Sequence, residues 1–426
     1  MQRLLISFLS LVAVAGSARA QPAPDAPPPG EPPPGSPSDQ PPVAPPPPVE
    51  VAPPPLAPAA EPAKPKEDLP KRLGVGKLSP GAFFVPGLNL QAQFLWDETK
   101  KTSATGEDIQ ASTTTFRMRR LEVSAGGEII PSFVKYRLMF DLARVRDTFA
   151  SVNAAPATGT TAVPVRTFAT PISPLQDLFV TFSGNFADVS IGQFKNAISW
   201  EANQPSSKII MVERSFIANT VGGIRDVGLR IAKKFKMFSY QVDLFNGSGQ
   251  NNLDANNQKD IDGRLEIYPV KGLTIAGATY DSLGYRTKAG TKDRWEGDLH
   301  YEGGPLYFTA EFIRVRDIAA DGAAAVTSQG WYAVLGYAFP EMGSGDWRGV
   351  LQPVVRVGGY DPDVNTNVVP TAVTSADERL DFEGGLNYYL REHEMKLQAS
   401  YDRQQFDKTS VKPGINEVLF QAQVWF

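Results

Sequence analysis

VLFQAQVWF, residues Val418–Phe426, ends the sequence and decides what kind of sheet to expect. Val418, Phe420, Ala422, Val424 and Phe426 fall on one face of an extended chain. Gln421 and Gln423 fall on the other, with Trp425 fitting less cleanly. A period of two with one apolar and one polar face marks a half-buried strand. Two architectures use such a strand: the edge of a soluble sheet, and the closing strand of a transmembrane barrel with an apolar lipid face and a polar lumen face. The terminal aromatic Phe426 favours the barrel, where it is expected to be read by the barrel-assembly machinery.

The other end of the sequence gives an address. Arg3 supplies a positive start, Leu4 to Val14 is an apolar run, and Ala18-Arg19-Ala20 has the small-x-small form of a signal cleavage site. Cleavage is expected after Ala20. The run is too short to cross a bilayer as a helix, which takes about 20 residues. There is no cysteine, hence no lipid anchor, disulfide or thiolate metal site. Loss of Arg3 and Arg19 with the signal moves the formal charge from -4 to -6. A chain so mildly acidic is not expected to bind nucleic acid, which calls for a basic patch.

Residues 21–70 hold 22 of the 37 prolines, and the first aromatic residue after the signal is Phe83. A segment with no aromatic and few large apolar side chains cannot bury enough surface to offset its ordering entropy, so a disordered, polyproline-like periplasmic linker is expected there. It could contact the cell wall or a partner. From residue 78 to 426 the chain alternates. Val134, Tyr136, Leu138, Phe140 and Leu142 have Lys135, Arg137 and Asp141 between them, and Val227, Leu229 and Ile231 interleave with Gly228, Arg230 and Ala232. Leu380, Phe382, Leu386 and Leu390 interleave with Asp381, Glu383, Asn387 and Tyr389, and Met395, Leu397 and Tyr401 with Lys396, Gln398 and Asp402. The expected fold is all-β: an antiparallel transmembrane barrel of about 16 strands (16–18), large enough for an aqueous channel and open to outer-membrane lipid on its outside. Trp96, Tyr268, Tyr280, Tyr301, Phe339 and Tyr360 fit its interfacial aromatic belts. Of two long connections, Arg144 to Pro174 reads as a surface loop. Asn196 to Arg225, less polar and carrying Lys208, Glu213 and Arg214, is expected to fold inward and narrow the pore.

Three stretches resemble a family, the phosphate-selective porins O and P. They are FRMRRLEVSAGGEIIPSFVKYRLMFDLA (Phe116–Ala143), VSIGQFKNAISWEANQPSSKIIMVERS (Val189–Ser215) with GGIRDVGLRI after it, and LNYYLREHEMKLQASYDRQQFD with the terminal VLFQAQVWF. The likeness spans roughly residues 113 to 426. It implies a 16-stranded porin, a homotrimer in the outer membrane, that passes phosphate or similar small anions. It also implies a basic ladder at Arg119 and Arg120 and a basic constriction loop at Lys208 and Arg214. The Pro-rich stretch has no counterpart in that pattern.

Alternation sends Arg117, Arg119, Lys135, Arg137, Arg230, Arg264, Arg356 and Lys396 to the lumen, with Asp141, Asp262, Glu266, Glu311, Asp381, Glu383 and Asp402 beside them. Eight cations against seven acids argue against a uniformly positive channel, and pairing across strands is the simpler reading of any one of them. Consecutive Arg119 and Arg120 are harder to place, because neighbours on a regular strand face opposite ways. A site near the strand start, at the membrane interface, or a bulge would accommodate both. No catalytic site, metal site or cofactor is read from the sequence. His300 and His393 look like solvated residues, Asp254 to Asp262 lacks calcium-loop spacing, and GGIRD lacks the strand–loop–helix context of a nucleotide loop. Two alternatives to a porin are an envelope protein whose barrel anchors a wall-binding Pro-rich arm, and a lipid-hydrolysing barrel.

Overall fold

The computed structural model describes residues 76–79, 82–102, 108–144, 174–254, 257–283, 290–318, 321–364, 378–406 and 414–426. Residues 1–20, expected to be a signal, the Pro-rich stretch and nearly all of the connection from Arg144 to Pro174 lie outside the described residues.

Sixteen antiparallel strands close on themselves: β2 (Ala82–Thr102), β3 (Asp108–Ile130), β4 (Val134–Asp141), β5 (Leu175–Ser183), β6 (Asp188–Lys195), β7 (Arg225–Lys234), β8 (Phe238–Phe245), β9 (Lys259–Ile267), β10 (Leu273–Leu283), β11 (Lys292–Gly303), β12 (Leu306–Asp317), β13 (Val326–Tyr337), β14 (Val350–Asp361), β15 (Arg379–Arg391), β16 (Met395–Phe406) and β17 (Gly414–Trp425). A short β1 (Gly76–Ser79) pairs beside the start of β2. Closure is made by the quoted terminal stretch: Val418 opposes Trp96, Phe420 opposes Phe94 and Val424 opposes Leu90 along β2. The Phe426 carbonyl accepts from the Leu88 N–H at 2.8 Å, and the Phe426 N–H donates to the Leu88 carbonyl.

The burial pattern is inverted relative to a soluble protein. Phe420 is 52% and Val424 42% exposed, whereas Gln421 is 4% and Gln423 1% exposed. Leu178, Ile191, Leu265, Val355 and Phe382 lie on the same outer surface. A continuous apolar exterior of this kind is stable only in lipid. Connections are short at one end, as at 131–133, 184–187, 235–237 and 304–305, and long at the other. In outer-membrane barrels the short-turn end is periplasmic.

Two expectations need correction. The aromatic set does not form one belt: Trp96 and Tyr301 point outward, but Tyr280 is buried inside the barrel and Tyr360 packs on Phe216. The Arg119–Arg120 pair is not near a strand start, since β3 begins at Asp108. Gln91 opposes Arg120 while Ala92 opposes Met118, so Arg119 is the extra residue of a bulge. The bulge turns both arginines into the lumen and removes the cost of a guanidinium facing lipid.

Candidate functional site

Between β6 and β7 the chain turns into the barrel. It forms α1 (Trp200–Asn203), a 3-10 turn (Ser206–Lys208) and α2 (Phe216–Val221), then leaves toward β7. The segment folds as a small core of its own against the wall. Ile198, Ile210, Met211, Ile217, Ala218 and Val221 pack on Phe194, Phe245, Ile313, Val315, Tyr332, Val334 and Val354, all on the lumen side of their strands. Each fully buried Ile or Met side chain contributes about 1.5–3 kcal/mol by area transfer. Gly330 on β13 is the dent that receives Ile217: a Cβ there would stand 2.8 Å from two of its carbons.

Polar wall groups hold the loop in two different ways. On β9, β11 and β12, carboxylates accept its backbone N–H groups. Asp262 takes the N–H of Ala197 at 2.8 Å, Glu296 those of Ser199 at 2.7 Å and Trp200 at 3.1 Å, and Glu311 that of Glu201 at 3.3 Å. These amides open α1, where helix donors lack partners and negative charge is favoured. Ser199 sits at φ 72°, its hydroxyl capping Ala202 N–H; such a backbone costs roughly 1–3 kcal/mol and persists only where its surroundings over-determine it.

On β2 and β15–β17, amides and one lysine donate to the loop's carbonyls instead, and Arg356 on β14 donates to that of Glu213. Gln91 reaches Ser206, Gln423 reaches Ser207, Lys396 reaches Ile209 at 2.6 Å, and Asn387 and Gln398 both reach Ile210. The amides also bond to each other, Gln91 to Gln423, Gln93 to Gln421, and Gln421 through Gln398 to Asn387. The result is two runs of uncharged amides along that wall, Gln91 with Gln423 and Gln93 through Gln421 and Gln398 to Asn387.

The loop tip meets the arginines. Glu213 takes a bidentate bond from Arg119, 2.6 Å from Nε and 3.0 Å from Nη2, and a further contact from Arg117 at 3.2 Å. Burial alone would raise the Glu213 carboxyl. The Arg119 hydrogen bond and the charges of Arg119 and Arg120, with a bond from Gln93, outweigh it and hold it at about 2. Arg120 is buried, donates to Gln91 and stands 4.0 Å from Glu122. Arg214 donates to the carbonyls of Glu201 and Gln204 at the end of α1. Lys208 is exposed.

A cavity of about 800 Å³ remains between the loop and the β2–β7 wall. Its lining extends from Val85 and Gly87 near the short-turn end to Arg144 and Gln250 at the other. Arg119, Arg120, Arg137, Arg144, Lys195, Lys208, Arg214 and Arg225 line it, against only Glu122 and Asp141. The structure therefore gathers Arg119, Arg120, Arg137, Lys208 and Arg214 around one space. Arg117 stands beside it, on Glu213. Lys135 is not in the lining; it lies opposite Glu128 near the short turn at 131–133. Arg264, Arg356 and Lys396 are buried beneath the loop, Arg264 among Glu266, Glu296 and Asp298, and Arg356 with Glu383 and Glu201. Arg230 is paired with Asp243 at 2.7 Å. The eight cations counted along the strands are thus divided: Arg119 and Arg137 line the open cavity, while Arg264, Arg356 and Lys396 lie under the loop with Asp262, Glu296 and Glu311. Of the lining arginines, Arg137 and Arg225 share Asp177 and Arg144 pairs with Asp141.

Neither histidine is a free solvated group. His300 stacks on Trp200 with ring centroids 4.1 Å apart and bonds to Thr309, and burial, followed by the charges of Lys396 and Lys208, lowers His393 in the β15–β16 turn to about 4. Glu213 as the partner of the arginines, and the acids and amides that fix the loop, were not singled out from the sequence. One signal was available: Gln421 and Gln423 occupy consecutive inward positions in the terminal strand.

The sequence model of the family described as phosphate-selective porin O and P matches residues 88–298, from β2 to β11 and through the whole inward loop. No curated protein matches the sequence. The fold is similar to an anion-selective porin from Comamonas acidovorans, with 12% identity, a TM-score of 0.51, and 81% of this chain and 100% of that one covered. It is similar to the outer-membrane channel DcaP of Acinetobacter baumannii, with 13% identity, a TM-score of 0.51, and 82% and 99% covered. A third similar structure is Salmonella typhi OmpF solved with daunomycin, at 13% identity, a TM-score of 0.51, and 81% and 98% covered. At such identities these likenesses concern the fold alone. The family model covers residues 88–298, and with the closed barrel and the lumen loop it makes the chain an outer-membrane porin, a passive-diffusion channel whose matched half has the sequence pattern of the phosphate-selective porins O and P.

Proposed function

We propose that the channel favours small anions, inorganic phosphate first among them, at a constriction between Lys208 on the loop and the Arg119–Arg120 bulge. The observation that carries this reading is the lining of the open cavity, eight cations to two carboxylates. Fixed cations offset the dehydration of a passing anion, and a guanidinium matches two phosphate oxygens with a planar fork of donors. Partial pairing of Arg119 with Glu213 keeps binding weak enough for release, which a conducting pore requires. Lys208 is the cleanest residue to test, because Arg214 also supports α1 and its loss would move the loop. Lys208→Gln should shift the zero-current potential in a KCl gradient toward cations and weaken the block of chloride current by added phosphate. An unchanged potential and unchanged block would remove Lys208 from the constriction.

Three further features belong to the same reading. Residues 1–20 would direct export and be cleaved after Ala20, as their composition indicates. Residues 21–70 would form a periplasmic linker, consistent with a first strand that begins at the short-turn end. The barrel would work as a homotrimer, the assembly that the family resemblance implies.

A further inference from the structure

A second cavity, about 780 Å³, opens at the short-turn end on the other side of the loop. Its chemistry is unlike that of the first. Trp200 and His300 form a stacked pair, with Tyr307 at the edge of His300 at 5.2 Å, and Tyr389 and His393 make a second edge-on pair across the space. The charged lining is mixed, with Lys208 and Arg391 against Glu302, Glu341 and Glu392, and Gln204 and Gln352 add neutral amides. This chamber offers aromatic faces for C–H groups and scattered acceptors for hydroxyls. It lacks the concentration of cations that a bare anion would seek.

Lys208 lines both cavities. The residue therefore stands where the basic path meets the aromatic chamber. A solute with an anionic group joined to a polyhydroxylated ring could keep the anion at Lys208 while the ring lies in the chamber. Inorganic phosphate has nothing to place there.

We infer that the aromatic chamber is a subsite for the sugar ring of a phosphorylated sugar whose phosphate is held at Lys208. The inference rests on the proposed anion constriction and narrows its substrate class to ring-bearing phosphate esters. Trp200 and Tyr307 act on the ring alone, so their loss should leave inorganic phosphate untouched.

The test is block of chloride current through the purified full-length channel by glucose 6-phosphate and, separately, by inorganic phosphate. In the unaltered protein glucose 6-phosphate should block at a concentration about two- to tenfold lower than phosphate, the range that one or two ring contacts supply. Trp200→Leu should bring the two blockers together while phosphate block stays fixed, and Tyr307→Leu should act in the same direction where the first variant fails to assemble. Equal block by both compounds in the unaltered channel, or an equal shift of both in the variants, would overturn the subsite and leave the aromatic cluster as packing. Block by glucose 6-phosphate that depends on Trp200, with no effect of inorganic phosphate, would sustain the subsite while removing the phosphate selectivity proposed above.

Discussion

Strands β8–β16 and strands β2–β7 line one lumen, yet they treat charge in opposite ways. On the first wall, Asp262, Glu296 and Glu311 face inward and are covered by the loop whose amides they bind. On the second, Arg119, Arg120, Arg137 and Arg225 face inward and remain around open space. A count of lumen residues sees balance, whereas the basic cavity is bounded by the second wall and the loop. The character of the pore is therefore set by where the loop lies as much as by which residues the strands carry.

The comparison can be broken most severely by freeing the loop from the acidic wall. Glu296→Ala removes acceptors for two amides, each charge-assisted bond contributing on the order of 1.5–3 kcal/mol. Single-channel conductance should rise and anion preference should fall as the loop loosens and the acids are uncovered. A variant with unaltered conductance and selectivity would mean that the remaining wall bonds and the apolar packing of Ile217, Met211 and Val221 hold the loop without Glu296.

A smaller effect should come from pH at the loop tip. Glu213 is held at about 2, below its ordinary 4.5. Its ionised form thus stabilises the clamp on Arg117 and Arg119 above pH 4.5, and that contribution is lost as pH falls through about 2. The Arg119 and Glu213 side chains keep some exposure, so the effect is discounted for screening. Current recorded in steps from pH 7 to pH 2.5 should keep a Glu213-dependent component throughout most of that range. Disappearance of this component near pH 5, judged against Glu213→Gln, would place the carboxylate outside the arginine clamp.

The smallest effect sharpens the boundary of the basic wall. Lys135 points inward but stands opposite Glu128, away from the cavity lining. Lys135→Gln should leave reversal potentials within about 2 mV of the unaltered channel, since a screened charge outside the narrowest region adds little. A shift as large as that of Lys208→Gln would extend the selective region to the periplasmic mouth.

The barrel itself was legible because a lipid face tolerates few exceptions. Phe420 and Val424, or Phe382 and Leu386, must all point outward, and the period of two follows. The site was legible only in part. Arg119 and Arg120 carried their own contradiction, two neighbours that could not both face lipid, and a single extra residue resolves it in mid-strand. The loop's wall was concealed because Ile313, Val315, Val334 and Val354 are apolar on the inward side, where alternation alone expects polar groups. They read as noise in a barrel pattern and have meaning only against Ile217, Met211 and Val221, which lie far away in sequence. The pairing of Glu213 with Arg119 spans 94 residues, and no local period signals it.

The amides from Gln91 to Asn387 give the loop mechanical asymmetry. Carboxamides neither titrate nor draw counterions, so these amide bonds behave alike in fresh water, brine or acid. Glu213 and its arginines respond to both acid and salt. The loop is thus held by two fastenings that meet at Gln93, which bonds both Gln421 of the amide set and Glu213 of the ionic clamp, so acid or brine slackens one fastening beside another that does not respond.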